Sequence, residues 1–225
     1  MAGGRPENSA YTWGGMGNNL KSAKVRQAAA VGVAEHGNSA ILVTVSQDGR
    51  LVDRRRVDLT RGLPTHPYHH QGSWAVGRYT DSPWARKISL SDAIALVEQV
   101  REAALQGARE SLGALAASVP VPITSIAIRI CPALPSTTEE CIRDTRAASM
   151  ADSIMYRMAV ATAAGERGWS VSWYDRAEVS RAAGAALGRK DIDGYLREMG
   201  KSVGPPWQAT HKLAAAAAIA SGFRE

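Results

Sequence analysis

Short apolar runs separated by turn signals dominate the first sixty positions of the chain. Residues 28–34 form one continuous apolar run, and residues 41–45 form a second one after a Glu-His-Gly-Asn segment. Such short runs are typical of strands that are buried on both faces. An Asp-Gly pair at 48–49 then predicts a hairpin turn into residues 51–59, where polar side chains fall on both faces of the strand pattern. The pattern therefore predicts a three-stranded antiparallel meander whose third strand lies at the edge of a sheet.

The remainder of the chain alternates between helical and strand patterns. Ser89 or Ser91 is expected to cap the first helix, and Ser136-Thr137-Thr138-Glu139 has the pattern of a capping box. The predicted elements are a helix to about residue 118, a strand over 123–131, a helical region to about 165, a strand over 169–174, shorter helices, a break at 204–206 and an alanine-rich helix over 208–220. A strand that follows a long helix is expected to pair in parallel with the first strand.

Two segments stand outside this pattern. Residues 1–27 are rich in Gly, Asn and Ser and are predicted to be a flexible leader. Residues 60–90 form a long segment rich in His, Pro and Trp, and loops of this length are usually functional or disordered. Its aromatic content favours an ordered loop. Residues 28–225 are accordingly predicted to form a single α/β domain.

The net charge of +6 is spread unevenly along the chain. Residues 50–61 carry five arginines against two aspartates, whereas residues 132–175 carry four basic and six acidic residues. A basic edge beside a more acidic centre is compatible with nucleic-acid binding, with Arg54, Arg55 and Arg56 contacting phosphates. It is equally compatible with solvated arginines on an outer strand.

Cellular location is suggested by the apolar runs and the cysteines. The longest uninterrupted apolar run is residues 213–220, far below the ~20 residues that cross a bilayer, and no secretory pattern precedes residue 28. Cys131 and Cys141 make no disulfide framework and are expected to be buried free thiols. These features predict a cytoplasmic protein without membrane contact.

The element order, with a meander extended by parallel strands, matches the ribonuclease H-like arrangement. The string ADSIMYRMAVATAAGERGWSVSWYDRAEV, followed by GPPWQATHKLAAAAAIA, resembles the second half of Holliday-junction-resolvase-type members of that superfamily. The resemblance covers residues 28–59 and 123–222. It implies a ribonuclease H-like mixed sheet flanked by helices, with binding of nucleic acid.

The resemblance also implies a site for two divalent ions, Mg²⁺ or Mn²⁺, held by carboxylates. The acids would lie at the ends of the first and fourth strands and on the last helix. This sequence offers only Glu35 at the first position, has Arg129 at the second, and has His211 and Lys212 on the last helix. Either the site is rebuilt from other residues or the nuclease activity has been lost.

A rebuilt catalytic site would draw on Glu35, Asp152 and His211. Asp152 lies in a stretch of small and apolar residues, where a carboxylate must be paired, bound to a ligand or placed at the helix edge. The alternative is an acid that simply pairs with Arg146 or Arg157. Arg129 and Lys212 would join the three arginines at 54–56 as nucleic-acid contacts, and Trp74, Trp84 and Trp207 could stack on bases or anchor loops.

A second candidate centre is the histidine-containing loop. His66, His69 and His70 could bind a metal together with Glu35, since imidazole suits zinc, iron, nickel and copper. The spacing matches no established zinc motif, and exposed histidines in a polar loop are the alternative.

Three functions therefore stay open. The first is a nucleic-acid-binding ribonuclease H-like protein with a diverged metal site. The second is a metal-dependent enzyme that acts on a small molecule through the His66–His70 loop. The third is a non-catalytic scaffold, because the alanine-rich helices permit close packing within the chain or between the subunits of a homo-oligomer.

Overall fold

The computed structural model describes residues 28–73, residue 76 and residues 88–222. The predicted leader, Trp74 and Trp84 lie outside these residues. The strands are β1 (Ala29–His36), β2 (Ser39–Ser46), β3 (Leu51–Asp58), β4 (Ile123–Arg129) and β5 (Ser170–Tyr174). The helices are α1 (Leu90–Ser118), α2 (Thr138–Arg143), α3 (Thr145–Glu166), α4 (Val179–Ala186), α5 (Ile192–Val203) and α6 (Ala209–Gly222), and a π-helical turn spans His69–Ser73.

The strands form one mixed sheet in the order β3-β2-β1-β4-β5. β1, β2 and β3 pair antiparallel, whereas β4 pairs in parallel with β1 and β5 in parallel with β4. The predicted meander, its third strand at the sheet edge and the parallel return after the long helix are all confirmed. The chain is an α/β protein with the ribonuclease H-like arrangement of a mixed five-stranded sheet flanked by helices.

Two hydrophobic layers cover the sheet, one on each face. Val31, Val33 and Ile126 point toward α1 and α3, and the alternate residues of the same strands point toward α4, α5 and α6. Gly32 permits the closest of these contacts, because a Cβ there would lie 1.8 Å from the Ala214 carbonyl oxygen of α6. The alanine-rich last helix therefore packs directly on the backbone of β1.

Local signals set most element boundaries, and a few differ from prediction. Ser89 caps α1 by accepting a hydrogen bond from Asp92 N. The capping box joins Thr137 to Glu140, one residue later than predicted, and Asp144 divides the predicted helical region into α2 and α3 because it ends one helix and caps the next. β1 continues one residue past its predicted end at Glu35, to His36, since both residues pair with β2. Cys141 is buried as predicted, whereas Cys131 is half-buried; both are free.

Candidate functional site

A buried ion pair occupies the carboxyl end of β1. Arg157 on α3 donates a hydrogen bond from Nε to Glu35 Oε1 at 2.6 Å, and its Nη2 lies 2.5 Å from the same oxygen; the two side chains are only 7% and 8% exposed. Arg157 Nη1 also donates to the Ile130 carbonyl oxygen at the end of β4, at 2.9 Å. The guanidinium thus ties α3 to the ends of both central strands.

The residues at this strand end do not fit the two-ion site implied by the resemblance. Divalent Mg²⁺ and Mn²⁺ require several oxygen ligands with negative charge. Here the Glu35 carboxylate faces the Arg157 guanidinium, and Arg129 Nη1 approaches the same oxygen at 3.9 Å. Throughout the part of the chain that the structure describes, no group of three or more His, Cys, Asp or Glu side chains is arranged to hold a metal ion.

An arginine-lined cleft of about 450 Å³ opens at the same edge of the sheet. Its walls include Arg129 at the end of β4 and the following Ile130. They also include Ser153 and Arg157 of α3, and Asp175 and Arg176, which follow β5. We call this the arginine cleft. Ligands of open α/β sheets commonly bind beyond the carboxyl ends of parallel strands, and the cleft lies at that place.

The cations of the arginine cleft differ in what they already contact. Glu35 neutralises Arg157, which contacts it at 2.5 Å. The Arg129 side chain is 40% exposed, and its contact with the same carboxylate is longer, at 3.9 Å. Arg176 is exposed, and Asp175 Oδ1 accepts a hydrogen bond from the Ala177 amide at 2.7 Å. Arg129 and Arg176 are therefore the guanidinium groups that can meet an anion from solvent. The sequence predicted Arg129 as a nucleic-acid contact. It did not single out Arg176, which could have been found from its position just after the last strand.

The predicted histidine loop comes together around Asp152. Asp152 Oδ1 accepts from Tyr68 N at 2.9 Å and Oδ2 accepts from His69 N at 3.3 Å, while His66 Nδ1 lies 3.6 Å from Oδ2. The ring of His70 is 4.8 Å from that of His66, between centroids. The buried carboxylate is thus paired with the loop, and not with the arginines that its own helix offers.

The three loop histidines have different acidities. The Asp152 carboxylate beside its ring raises the pKa of His66. Burial lowers the pKa of His69 and of His70, and His66 lowers both further, against an opposing effect of the Asp152 carboxylate. The arrangement favours a single protonated imidazole, His66, beside the buried carboxylate.

The three residues predicted to form a catalytic set do not converge. His211 lies on α6, and α6 packs on the opposite face of the sheet from α3, which carries Asp152. His211 is buried, its Nδ1 accepts from Gln208 N at 3.2 Å, and burial lowers its pKa. These contacts hold the first turn of α6. Beside it, Trp207 donates from Nε1 to the Leu196 carbonyl oxygen at 2.8 Å and anchors the preceding segment.

The arginines of β3 do not form one surface. Arg54 donates to the carbonyl oxygens of Gly204 and Pro206, at 3.0 and 2.5 Å, and so ties β3 to the segment before α6. Arg55 instead pairs with Asp53 and donates to Ser118 at the end of α1. Arg56 is exposed with Asp58 at 3.7 Å, and Lys212 is half-buried on α6.

No model of a known protein family matches the sequence, and a search of curated proteins found no match. Two of the solved structures similar to this chain are structures of RuvC. One is Thermus thermophilus RuvC in complex with a Holliday junction substrate, at 14% identity and a TM-score of 0.46, and the other is Thermus thermophilus RuvC, at 11% identity and a TM-score of 0.45. Each comparison covers 87% of this chain and 93% of the other. The strand order of the chain itself is that of the ribonuclease H-like fold, and the two RuvC structures are ones to which the chain is similar.

Proposed function

We propose that this protein binds nucleic acid through the arginine cleft and has a diverged strand-end site. The arginine cleft itself carries the proposal, because it places two guanidinium groups, Arg129 and Arg176, at the sheet edge where ligands of such folds bind. Guanidinium groups bind phosphate oxygens with paired, charge-assisted hydrogen bonds.

The Glu35–Arg157 pair supports binding without metal-dependent cleavage. A cation at Glu35 would have to displace a guanidinium that makes a hydrogen bond and a 2.5 Å ion-pair contact to the same oxygen. Displacement would leave Arg157 buried without its counter-charge, which is costly. We therefore expect the protein to bind branched or single-stranded DNA and leave it intact in Mg²⁺ or Mn²⁺. Cleavage that Glu35→Gln abolishes in a folded protein would instead show a working rebuilt site.

The binding test compares Arg129→Ala/Arg176→Ala with wild type over a range of salt concentrations. Each lost phosphate contact reduces the slope of log K against log salt by about 0.7–0.9, so the double variant should lose roughly 1.4–1.8 of the slope. Arg181→Ala is the matched control, because Arg181 is an exposed arginine of α4 that pairs with Glu178. Equal slopes for wild type and the double variant, or no salt-sensitive binding at all, would overturn the proposal.

The second candidate is a metal-dependent enzyme that acts on a small molecule through the loop where the rings of His66, His69 and His70 lie together, although the described residues form no group of three side chains arranged to hold a metal ion. Metal analysis of the purified protein decides it: stoichiometric zinc or iron that His69→Ala removes would support it, and metal-free protein would remove it.

No helix among the described residues is long and apolar enough to span a membrane. The cytoplasmic location and the homo-oligomeric scaffold stay predictions.

A further inference from the structure

We propose that Trp173 stacks on an unpaired nucleobase beside the arginine cleft, so that the protein prefers single-stranded nucleic acid to duplex. The inference rests on the proposed function and deepens it, because it names the form of nucleic acid that the cleft receives.

The indole lies on the same face of the sheet as the wall of the cleft. Trp173 pairs in register with Ile128 of β4, and registered residues of parallel strands point to the same face. Ile128 belongs to the layer that packs against α1 and α3, whereas Tyr174 belongs to the layer on the other face. Trp173 therefore projects on the side of α3, where Ser153 and Arg157 line the cleft.

The indole is also close to the cations along the chain. Asp175 and Arg176 follow Trp173 by two and three residues and line the cleft. At about 3.3 Å per residue, the Cα atoms of Trp173 and Arg176 are at most about 10 Å apart. A base on the indole and a phosphate on the guanidinium can therefore belong to the same short stretch of a strand.

The position of β5 explains why this large apolar side chain is open to solvent. β5 is an edge strand, paired only with β4 among the described strands, and Trp173 is 41% exposed. Ile130, which lines the cleft, is a second exposed apolar side chain at this edge. Aromatic side chains beside a cationic groove are the combination by which proteins bind unpaired strands, since every base offers a face for stacking.

The test measures the affinity of wild type and Trp173→Ala for a single strand and for the duplex of the same sequence. Loss of one base-stacking contact should weaken single-strand binding about five-fold to a hundred-fold and leave duplex binding within about two-fold. The salt slope should not change, because no phosphate contact is removed. Trp173→Phe should restore most of the affinity, and Met158→Ala, which removes an exposed apolar side chain from the other flank of α3, should have no effect. Single-stranded DNA and RNA should respond alike.

Three outcomes would overturn the inference. They are an unchanged single-strand affinity, an equal loss on both forms, and a change in oligomeric mass with Trp173→Ala that accounts for the loss. The proposed function fails separately: it falls if wild type shows no salt-sensitive binding or if Arg129→Ala/Arg176→Ala keeps the wild-type slope. A protein that keeps cleft-dependent binding yet ignores Trp173 would refute only the stacking contact.

Discussion

Replacing Arg157 with methionine would leave the Glu35 carboxylate buried without the guanidinium that faces it. Both side chains are more than nine-tenths buried, so solvent cannot easily replace the lost partner. Breaking a buried ion pair by removing one partner typically costs about 3–5 kcal/mol, and here the Ile130 carbonyl oxygen also loses a donor. For a chain of 225 residues this corresponds to a fall in Tm of roughly 6–20 °C.

Urea denaturation followed by circular dichroism at pH 7 measures the cost, with a second variant that isolates its origin. Glu35→Leu/Arg157→Met removes both charges and should recover most of the lost free energy of unfolding, since well-packed apolar replacements of buried pairs are often neutral. The exposed-arginine control, Arg181→Met, should change it by no more than about 0.5 kcal/mol. A single variant that costs less than about 1 kcal/mol, or a double variant as unstable as the single one, would refute the buried pair and with it the neutralisation of Glu35.

Two further predictions concern the loop and the packing of α6. The neighbouring Asp152 carboxylate raises the folded-state pKa of His66, so the stabilisation from this ion pair is fully present below the unfolded value of about 6.5 and is lost as pH rises through the raised value. His66→Gln should therefore lower the free energy of unfolding more at pH 5.5 than at pH 8.5, and equal losses in denaturant titrations at the two pH values would contradict the pairing. Gly32→Ala should cost about 1–3 kcal/mol, because its Cβ would meet the Ala214 carbonyl oxygen at 1.8 Å. Gly165→Ala, where nothing lies within 4 Å of the new Cβ, is the control, and a chemical-denaturation midpoint as high for Gly32→Ala as for the control would show that α6 can move away.

The strand pattern could be predicted because its signals are local. Continuous apolar runs, the Asp-Gly turn at 48–49 and polar residues on both faces of 51–58 determine the meander and its edge strand. Strand alternation, in turn, explains why the adjacent arginines at 54–56 do not share one face of the sheet. Successive side chains of a strand point to opposite faces, so Arg54 and Arg55 reach different segments of the fold.

The contacts of the candidate site could not be predicted because they join distant positions. Arg157 reaches Glu35 across 122 residues, and Asp152 reaches Tyr68 across 84. The sequence did indicate that a carboxylate at 152 needs partners, and the alternatives it offered were Arg146 and Arg157. The observed partners are backbone N–H groups of the loop, which carry no signal in the sequence, and Arg157 was already engaged by Glu35.

The geometry of α3 makes the two candidate functions separable. Asp152 and Arg157 are five residues apart, and at 3.6 residues per turn their side chains project about 140° apart around the helix. One side chain therefore serves the histidine loop, and the other serves the strand ends beside the arginine cleft. A substitution at His69 should leave the cleft intact, and substitutions at Arg129 and Arg176 should leave the loop intact. Metal content would then depend on the loop, and nucleic-acid binding would depend on the cleft. Each property could be lost by substitution without the loss of the other.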